Sequence, residues 1–255
     1  MRIAGSVALV TGANRGLGKA LVEALRKSGA RKIYAGTRQL SATAAAPDRV
    51  AESADVEPVM LDITATDQVG AAAHRCSDVN LLINNAGIAR FTPALAAPSM
   101  EDARAEMETN YFGTLAMCRA FAPVLKRNGG GAVVNVLSVV SFFNAPMQGT
   151  YSASKAAAWS LTKAVRFELR AQGTQVSGAY AGYIDTDMTA GLVAPKRSAA
   201  EIATAILAGI EAGAEDILTD ERARSVHARL RKDDGPFDAE MQAAWDVYAR
   251  QKGIG

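Results

Sequence analysis

Short apolar runs alternate along this chain with longer stretches in which apolar residues recur every three or four positions. The runs Val7–Thr11, Lys32–Gly36, Glu57–Leu61, Asn80–Asn84, Ala132–Leu137, Gln175–Tyr180 and Asp216–Leu218 predict strands. Their centres are continuously apolar, as in Leu81-Leu82-Ile83 and Val133-Val134, which is the pattern of strands covered on both faces. Helical periodicity falls between them, over 17–28, 65–75, 101–127, 152–172 and 199–212. Alternation of this kind predicts an α/β fold, a doubly wound parallel sheet of seven strands with right-handed crossovers. Small residues over Ser41–Pro47 read as a surface connection, and Gly129-Gly130-Gly131 as a turn between a long helix and the next strand. After Asp220 the pattern changes. Glu221–Lys232 reads as a helix with a basic side, Asp233-Asp234-Gly235-Pro236 breaks it, and Asp238–Arg250 reads as a last helix. The expectation is one cofactor-binding and catalytic domain over residues 1–255, with a helical C-terminal appendage.

Composition narrows the function classes. About half of the 255 residues (49%) are hydrophobic, which argues against disorder. Twenty-eight basic against 26 acidic residues leave a net charge of +2, too little to draw nucleic acid or a membrane surface by electrostatics alone. Two cysteines, Cys76 and Cys118, cannot make a disulfide framework or a four-ligand zinc site, and His74 and His227 stand far apart in the chain, so no metal is expected. The start, Met1-Arg2-Ile3-Ala4-Gly5-Ser6, lacks a leader pattern. The apolar stretch from Ala132 to Phe143 is broken by Asn135, Ser138 and Ser141 and is too short to span a bilayer. A soluble, cytoplasmic protein is expected.

The first strand runs into Thr11-Gly12-Ala13-Asn14-Arg15-Gly16-Leu17-Gly18 and then directly into a helix. Glycines there permit a sharp turn and bring backbone N–H groups, at a helix N-terminus, close to a pyrophosphate. The spacing is G-x-x-x-G-x-G, unlike the G-x-G-x-x-G of the commoner dinucleotide fingerprint, but the strand–turn–helix context is that of a Rossmann-type site. An NAD site usually places an acid at the end of the second strand, to meet the ribose 2′-hydroxyl. This chain has Gly36-Thr37-Arg38 instead, with Arg15 inside the glycine turn. Two guanidinium groups suit a 2′-phosphate, so NADP(H) is the expected cofactor.

Tyr151 and Lys155 stand at i and i+4 on one helix face. An ammonium beside a phenol is expected to bring its pKa toward working pH. Ser138 closes the strand Ala132–Leu137 at the carboxyl edge, where such sheets bind ligands. Taken together, Thr11-Gly12-x-x-x-Gly16-x-Gly18, Leu61-Asp62, Asn84-Asn85-Ala86-Gly87, Asn110, Ser138 and Tyr151-Ser152-Ala153-Ser154-Lys155 resemble the short-chain dehydrogenase/reductase family, in order, over residues 5 to 190. The resemblance implies that Tyr151 is the general acid/base, that Ser138 holds the substrate oxygen, and that Lys155 binds the nicotinamide ribose. It further implies that Asn110 anchors a water, that Asp62 and Ile63 contact the adenine, and that Asn84, Ala86 and Gly87 line the cofactor. Gly12, Asn14, Arg15, Gly16, Leu17, Gly18, Thr37 and Arg38 would complete that cofactor site, with Ile184 and Thr186 near the carboxamide. Ala181-Gly182 replaces the family's usual Pro-Gly, and the C-terminus lacks the glycine pair common in acyl-carrier-protein reductases.

Val139, Phe142, Phe143, Met147, Tyr183, Met188 and Leu192 are the candidate substrate pocket by proximity to these positions. The set is apolar, no arginine or lysine is evident beside it, and a hydrophobic ketone or aldehyde is the expected substrate. Arg222, Arg224, Arg229, Arg231 and Lys232 read as a solvated basic helix face. The short stretch between Asp187 and Ala199 reads as a lid. The resemblance to the family implies a homodimer or homotetramer. The leading expectation is thus an NADP(H)-dependent carbonyl reductase or alcohol dehydrogenase. A 3-oxoacyl thioester reductase and a non-catalytic NADP-binding redox sensor are the alternatives.

Overall fold

Strands with apolar residues on both faces must be covered twice, and the computed structural model shows how. It describes residues 1–39 and 55–230, and beyond them Glu240, Ala243, Val247, Arg250 and Gln251. Seven parallel strands form the main sheet: β1 (Val7–Thr11), β2 (Lys32–Thr37), β3 (Val56–Met60), β4 (Leu81–Asn84), β5 (Gly131–Ser138), β6 (Thr174–Ala181) and β9 (Asp216–Leu218), in the order β3-β2-β1-β4-β5-β6-β9. Period-two alternation divides their side chains between two cores. Ala8, Val10, Leu81, Ile83 and Val134 face one, with α1 (Gly16–Lys27) and α6 (Ala199–Glu211) packed on them through Leu21, Leu25, Ile206 and Ile210. Val7, Leu9, Leu82 and Val133 face the other, covered by α2 (Thr66–Arg75), α4 (Thr114–Arg127) and α5 (Gly149–Leu169) through Val69, Phe121, Leu125 and Val165. A third cluster, around Leu137, Val140, Tyr180 and Val226, fastens α7 (Glu221–Leu230) to the carboxyl end of β5 and β6.

Several boundaries differ from the periodicity. The expected helix over 101–127 is three pieces: α3 (Glu101–Met107), a π-helical segment (Glu108–Gly113) and α4. The apolar pattern over the whole stretch reads as one helix and does not show where the bonding changes, and such bulges frequently mark functional sites. The stretch between Asp187 and Ala199 is flanked by a small parallel pair, β7 (Ile184–Asp185) with β8 (Arg197–Ser198), too short to give a pattern. Ser41–Pro47 and Asp233–Pro236 lie outside the described residues. Of the expected last helix, Glu240, Ala243, Val247 and Arg250 are helical, and Glu240 pairs with Arg229 at 2.9 Å. Among the described residues no helix is long and apolar enough to cross a membrane.

The chain reverses its winding between β1 and β4, and the crevice of a doubly wound sheet opens at that point. Gly12, at φ +65°, packs so closely on the strand-four loop that a Cβ would lie 3.0 Å from Ala86 Cα. At Gly18 a Cβ would lie 2.1 Å from the Gly12 carbonyl oxygen and 2.7 Å from Asn85 Nδ2. Because one clash is with backbone, Gly18→Ala is expected to destabilise the protein by about 2–3 kcal/mol. Urea unfolding measures this as a lowered midpoint at unchanged slope.

Candidate active site

A cavity of about 600 Å³ runs along the carboxyl edge of the sheet, from Arg38 and Asp62 at one end, past the glycine turn, to Ser138, Tyr151 and Lys155 at the other. The volume is within the range of small-molecule and cofactor sites. Helix α1 enters it uncapped. Arg15 at the N-cap makes no side-chain bond to the first turn, which also lacks acids, so free N–H groups and the positive end of the helix dipole face the cavity. Asn14, Arg15, Gly16, Leu17, Thr37, Ile63, Ala86, Gly87, Ile184 and Thr186 all line it, as expected from the sequence. Arg15 pairs with Asp187 at 3.2 Å across the rim, an exposed contact of little energy. Burial alone would raise the Asp62 carboxyl, but bonds from Thr64 N and Oγ1, with the nearby Arg38 charge, bring it below its ordinary value.

Asn84 is the exception. Its amide is buried, donates to Asn135 Oδ1 at 2.9 Å, and through that residue joins Thr162 of α5. It does not line the cavity. Asn85 does: its Nδ2 donates to the Thr11 and Gly12 carbonyls, and its backbone N–H to Thr11 Oγ1, tying the β4 loop to the glycine turn. Strand pleat decides between the two asparagines, and the last strand residue turns inward.

Ser138 ends β5 in extended conformation, and a 3-10 turn at Val139–Ser141 follows it. The Ser138 Oγ accepts from Val140 N, and Ser141 Oγ from Ser138 N. Tyr151, in the first turn of α5, reaches back over Ser138. Burial pushes its phenol well above the ordinary value; the Ser138 hydroxyl opposes the rise, while Glu106 and Tyr183 add to it. The expected help from Lys155 is not found. Its Nζ donates to the Val136 carbonyl at 3.0 Å and lies 5.8 Å from the centre of the Tyr151 ring, rather than at its oxygen. Desolvation pushes the Lys155 ammonium down to about 8.

Asn110, in the π segment, is buried behind Gly87 rather than in the cavity wall. Its Oδ1 accepts from Ile88 N, and its Nδ2 donates to Ile88 O and Ser154 Oγ, each at 2.9 Å. The side-chain amide is thus committed to holding the loop over the site. Glu106, one helical turn earlier and fully buried, accepts from Arg90 N at 2.7 Å and holds the same loop.

The candidate substrate pocket divides. Val139, Tyr183 and Met188 line the cavity; Phe142, Phe143, Met147 and Leu192 do not. The 3-10 turn rotates Phe142 outward, to stack on Tyr180 at 4.3 Å and meet Trp159 edge-on, and Phe143 packs with that same cluster. Phe91, Val140 and Gln148 take their places. Arg222 also lines the cavity, so the expectation of a substrate end without a cation is overturned. Periodicity reads α7 as a solvated face because it cannot see that the helix starts beside β6. Cys76 and Cys118 are free and buried, and burial pushes both thiols up to about 12.

A parallel sheet with this glycine turn, serine, tyrosine and lysine on one cavity defines a class of protein. Residues 6–197 match the short chain dehydrogenase family. The chain belongs to that family of oxidoreductases. It is 33% identical over 192 residues to a 3-oxoacyl-[acyl-carrier-protein] reductase of Synechocystis, covering 73% of this chain and 77% of that protein. It is 35% identical over 196 residues to gluconate 5-dehydrogenase of Gluconobacter oxydans, covering 75% and 76%. A short chain dehydrogenase from Burkholderia cenocepacia, solved in complex with NADP, superposes with a TM-score of 0.89 at 44% identity, covering 94% of this chain and 99% of that one. A relative from Burkholderia phymatum in complex with NAD gives 0.79 at 26% identity, covering 91% and 93%.

Proposed function

We propose that this chain is an NADP(H)-dependent carbonyl reductase or alcohol dehydrogenase, acting on a ketone or aldehyde with an apolar body and on the corresponding alcohol. The observation that carries the reading is the placement of Tyr151 over Ser138 at one end of a cavity that passes the glycine turn with Arg15 and ends at Arg38. The residues fit the cofactor. The glycines let the turn pack directly on the β4 loop, and the uncapped start of α1 that follows suits a diphosphate. The nicotinamide, when bound, supplies or accepts the hydride.

In reduction, Tyr151 gives its phenolic proton to the carbonyl oxygen, and the Ser138 hydroxyl steadies that oxygen. In oxidation the same groups act in reverse. Lys155 uses one of its donors on Val136, and the others are available to ribose hydroxyls. Asn110 holds the loop of Gly87 and Ile88 against them. Arg38, with Thr37 in place of an acid, selects the 2′-phosphate, and the NADP-bound relative at 44% identity supports that choice. Arg38→Asp is therefore expected to lower the NADPH-over-NADH affinity ratio about 100-fold, by losing a charge-assisted contact and adding a repulsive one. Titration with both cofactors measures this, and an unchanged ratio removes Arg38 from the assignment.

A 3-oxoacyl thioester reductase is the second reading, favoured by what several relatives at 31–33% identity are named. Turnover that depends on acyl-chain length would distinguish it. We further place the protein in the cytoplasm as a homo-oligomer formed by α4 and α5, a reading supported by the exposure of Phe112 and Phe167 beside and on those helices.

A further inference from the structure

Four cations line the cavity among the described residues. Arg15 is paired with Asp187, Arg38 lies at the far end beside Asp62, and Lys155 is bonded to the Val136 carbonyl. Arg222 differs from all three. It makes no hydrogen bond or ion pair among the described residues, and its guanidinium lies 4.9 Å above the Tyr183 ring.

Its position is built rather than incidental. Asp220 Oδ1 accepts from Ala223 N and so caps α7, while its Oδ2 accepts from Gly182 N, both at 2.8 Å. Thr219 donates to the Tyr180 carbonyl through both its backbone N–H and its Oγ1. The start of α7 is thereby clamped to the end of β6. The stem of Arg222 lies across Gly182, where a Cβ would meet its Cδ at 2.9 Å. Gly182 follows Ala181, and Ala181 is the register partner of Ser138 on β5. Neighbouring strands are about 4.8 Å apart, which puts the arginine stem on the order of 10 Å from Ser138, a distance a small substrate spans.

Phe91, Val139, Val140 and Met188 give the same cavity apolar surface, beside the polar Gln148 and Tyr183. The neighbouring acid Glu221 is drawn off by Arg224 at 3.2 Å, and both Asp220 oxygens are already taken by N–H donors. An unpaired fork of donors on the wall of a cavity that also holds apolar surface matches a carboxylate. With a single arginine, and Asp220 close behind it, a monoanion fits better than a dianionic phosphate.

Resting on the reading of this cavity as a carbonyl-reducing site, we propose that Arg222 is its specificity-determining residue and that the substrate is an oxo acid with an apolar body, its carboxylate held by that guanidinium. The product of reduction is then the hydroxy acid. The fold and its relatives do not require this, and it separates the protein from reductases of neutral ketones and thioesters.

The test compares benzoylpropanoate and benzoylbutanoate, each beside its methyl ester, with NADPH and the native protein, Arg222→Gln and Arg222→Lys. The acid-to-ester ratio of kcat/KM is expected to fall about 10- to 100-fold in Arg222→Gln and to recover in part in Arg222→Lys. Phenylbutanoate, which has no carbonyl to reduce, is titrated calorimetrically into the same NADPH-loaded proteins, and its Kd should weaken about tenfold in Arg222→Gln. An unchanged ratio with an unchanged Kd overturns the proposal, as does a native protein that does not bind phenylbutanoate. A loss that appears in NADPH affinity instead assigns the arginine to the cofactor and also overturns it. If neither acid nor ester is reduced, the carbonyl-reductase reading fails by itself, and the phenylbutanoate titration still decides the role of Arg222.

Discussion

Replacing Tyr151 with phenylalanine is expected to lower turnover by about 10²–10⁴-fold while leaving NADPH affinity nearly intact. The substitution removes one oxygen and keeps the ring that packs beside Phe91 at 6.3 Å, so the cavity keeps its shape. Two charged neighbours are committed elsewhere. Lys155 is turned to the Val136 carbonyl, and Glu106 is engaged behind the wall with Arg90 N. The raised phenol also sets the pH dependence. Carbonyl reduction needs the protonated phenol, so its rate should hold through neutral pH and fall only in strong alkali. Alcohol oxidation needs the phenolate and should climb as pH rises. Steady-state rates in both directions, from pH 6 to about 10, measure this. Similar activity in the native and phenylalanine proteins would remove Tyr151 from the reaction.

Lys155→Met should do two opposite things: abolish most turnover and make the protein more stable. The ammonium is buried with one carbonyl bond, and desolvation holds its pKa at about 8. An unfolded lysine titrates near 10.4, so between about pH 8 and 10.4 the unfolded chain binds more protons and stability rises with pH. Below pH 8 the full penalty is present, roughly 3 kcal/mol for a shift of this size. Methionine fills similar space without a charge and forfeits one hydrogen bond, for a net gain of about 2 kcal/mol. In a chain of this length that is a rise in Tm of roughly 4–8 °C at pH 7. The gain should shrink toward pH 10, where native Lys155 is neutral. Thermal unfolding of both proteins at the two pH values checks the sign, and a less stable methionine variant at pH 7 contradicts it. Stability yielded at a working residue is a common trade in active sites.

Elements and site differ in how far they can be read without coordinates. The central strands β1, β4 and β5 follow from continuous apolar runs, because burial on both faces leaves a pattern that local sequence carries. The glycine turn and the Tyr151–Lys155 pair are legible for a similar reason: their geometry is local, a tight turn and one turn of helix. What fails is whatever depends on a neighbour distant in the chain. Asn84 and Asn85 are adjacent in sequence, yet pleat and the glycine turn send one to Asn135 and the other to Thr11. Phe142 follows Ser138 by four residues but is claimed by Tyr180 and Trp159. Arg222 belongs to a basic helix face by pattern, and only the Asp220–Gly182 bond reveals that this face begins at the cavity. The Lys155 ammonium is likewise one turn from the phenol, but its hydrogen bond goes to β5.

Label transfer tests the central claim most directly. NADPH carrying deuterium at the transferred position of the nicotinamide is incubated with the protein and a panel of aryl ketones, aldehydes, oxo acids and 3-oxoacyl thioesters, and the alcohols are examined by mass spectrometry. Deuterium on the carbinol carbon of at least one product, formed faster with NADPH than with NADH and lost in Tyr151→Phe, is the predicted result. NADPH binding with no label in any product would contradict the account and turn the cavity into a site that reads the cofactor without using it.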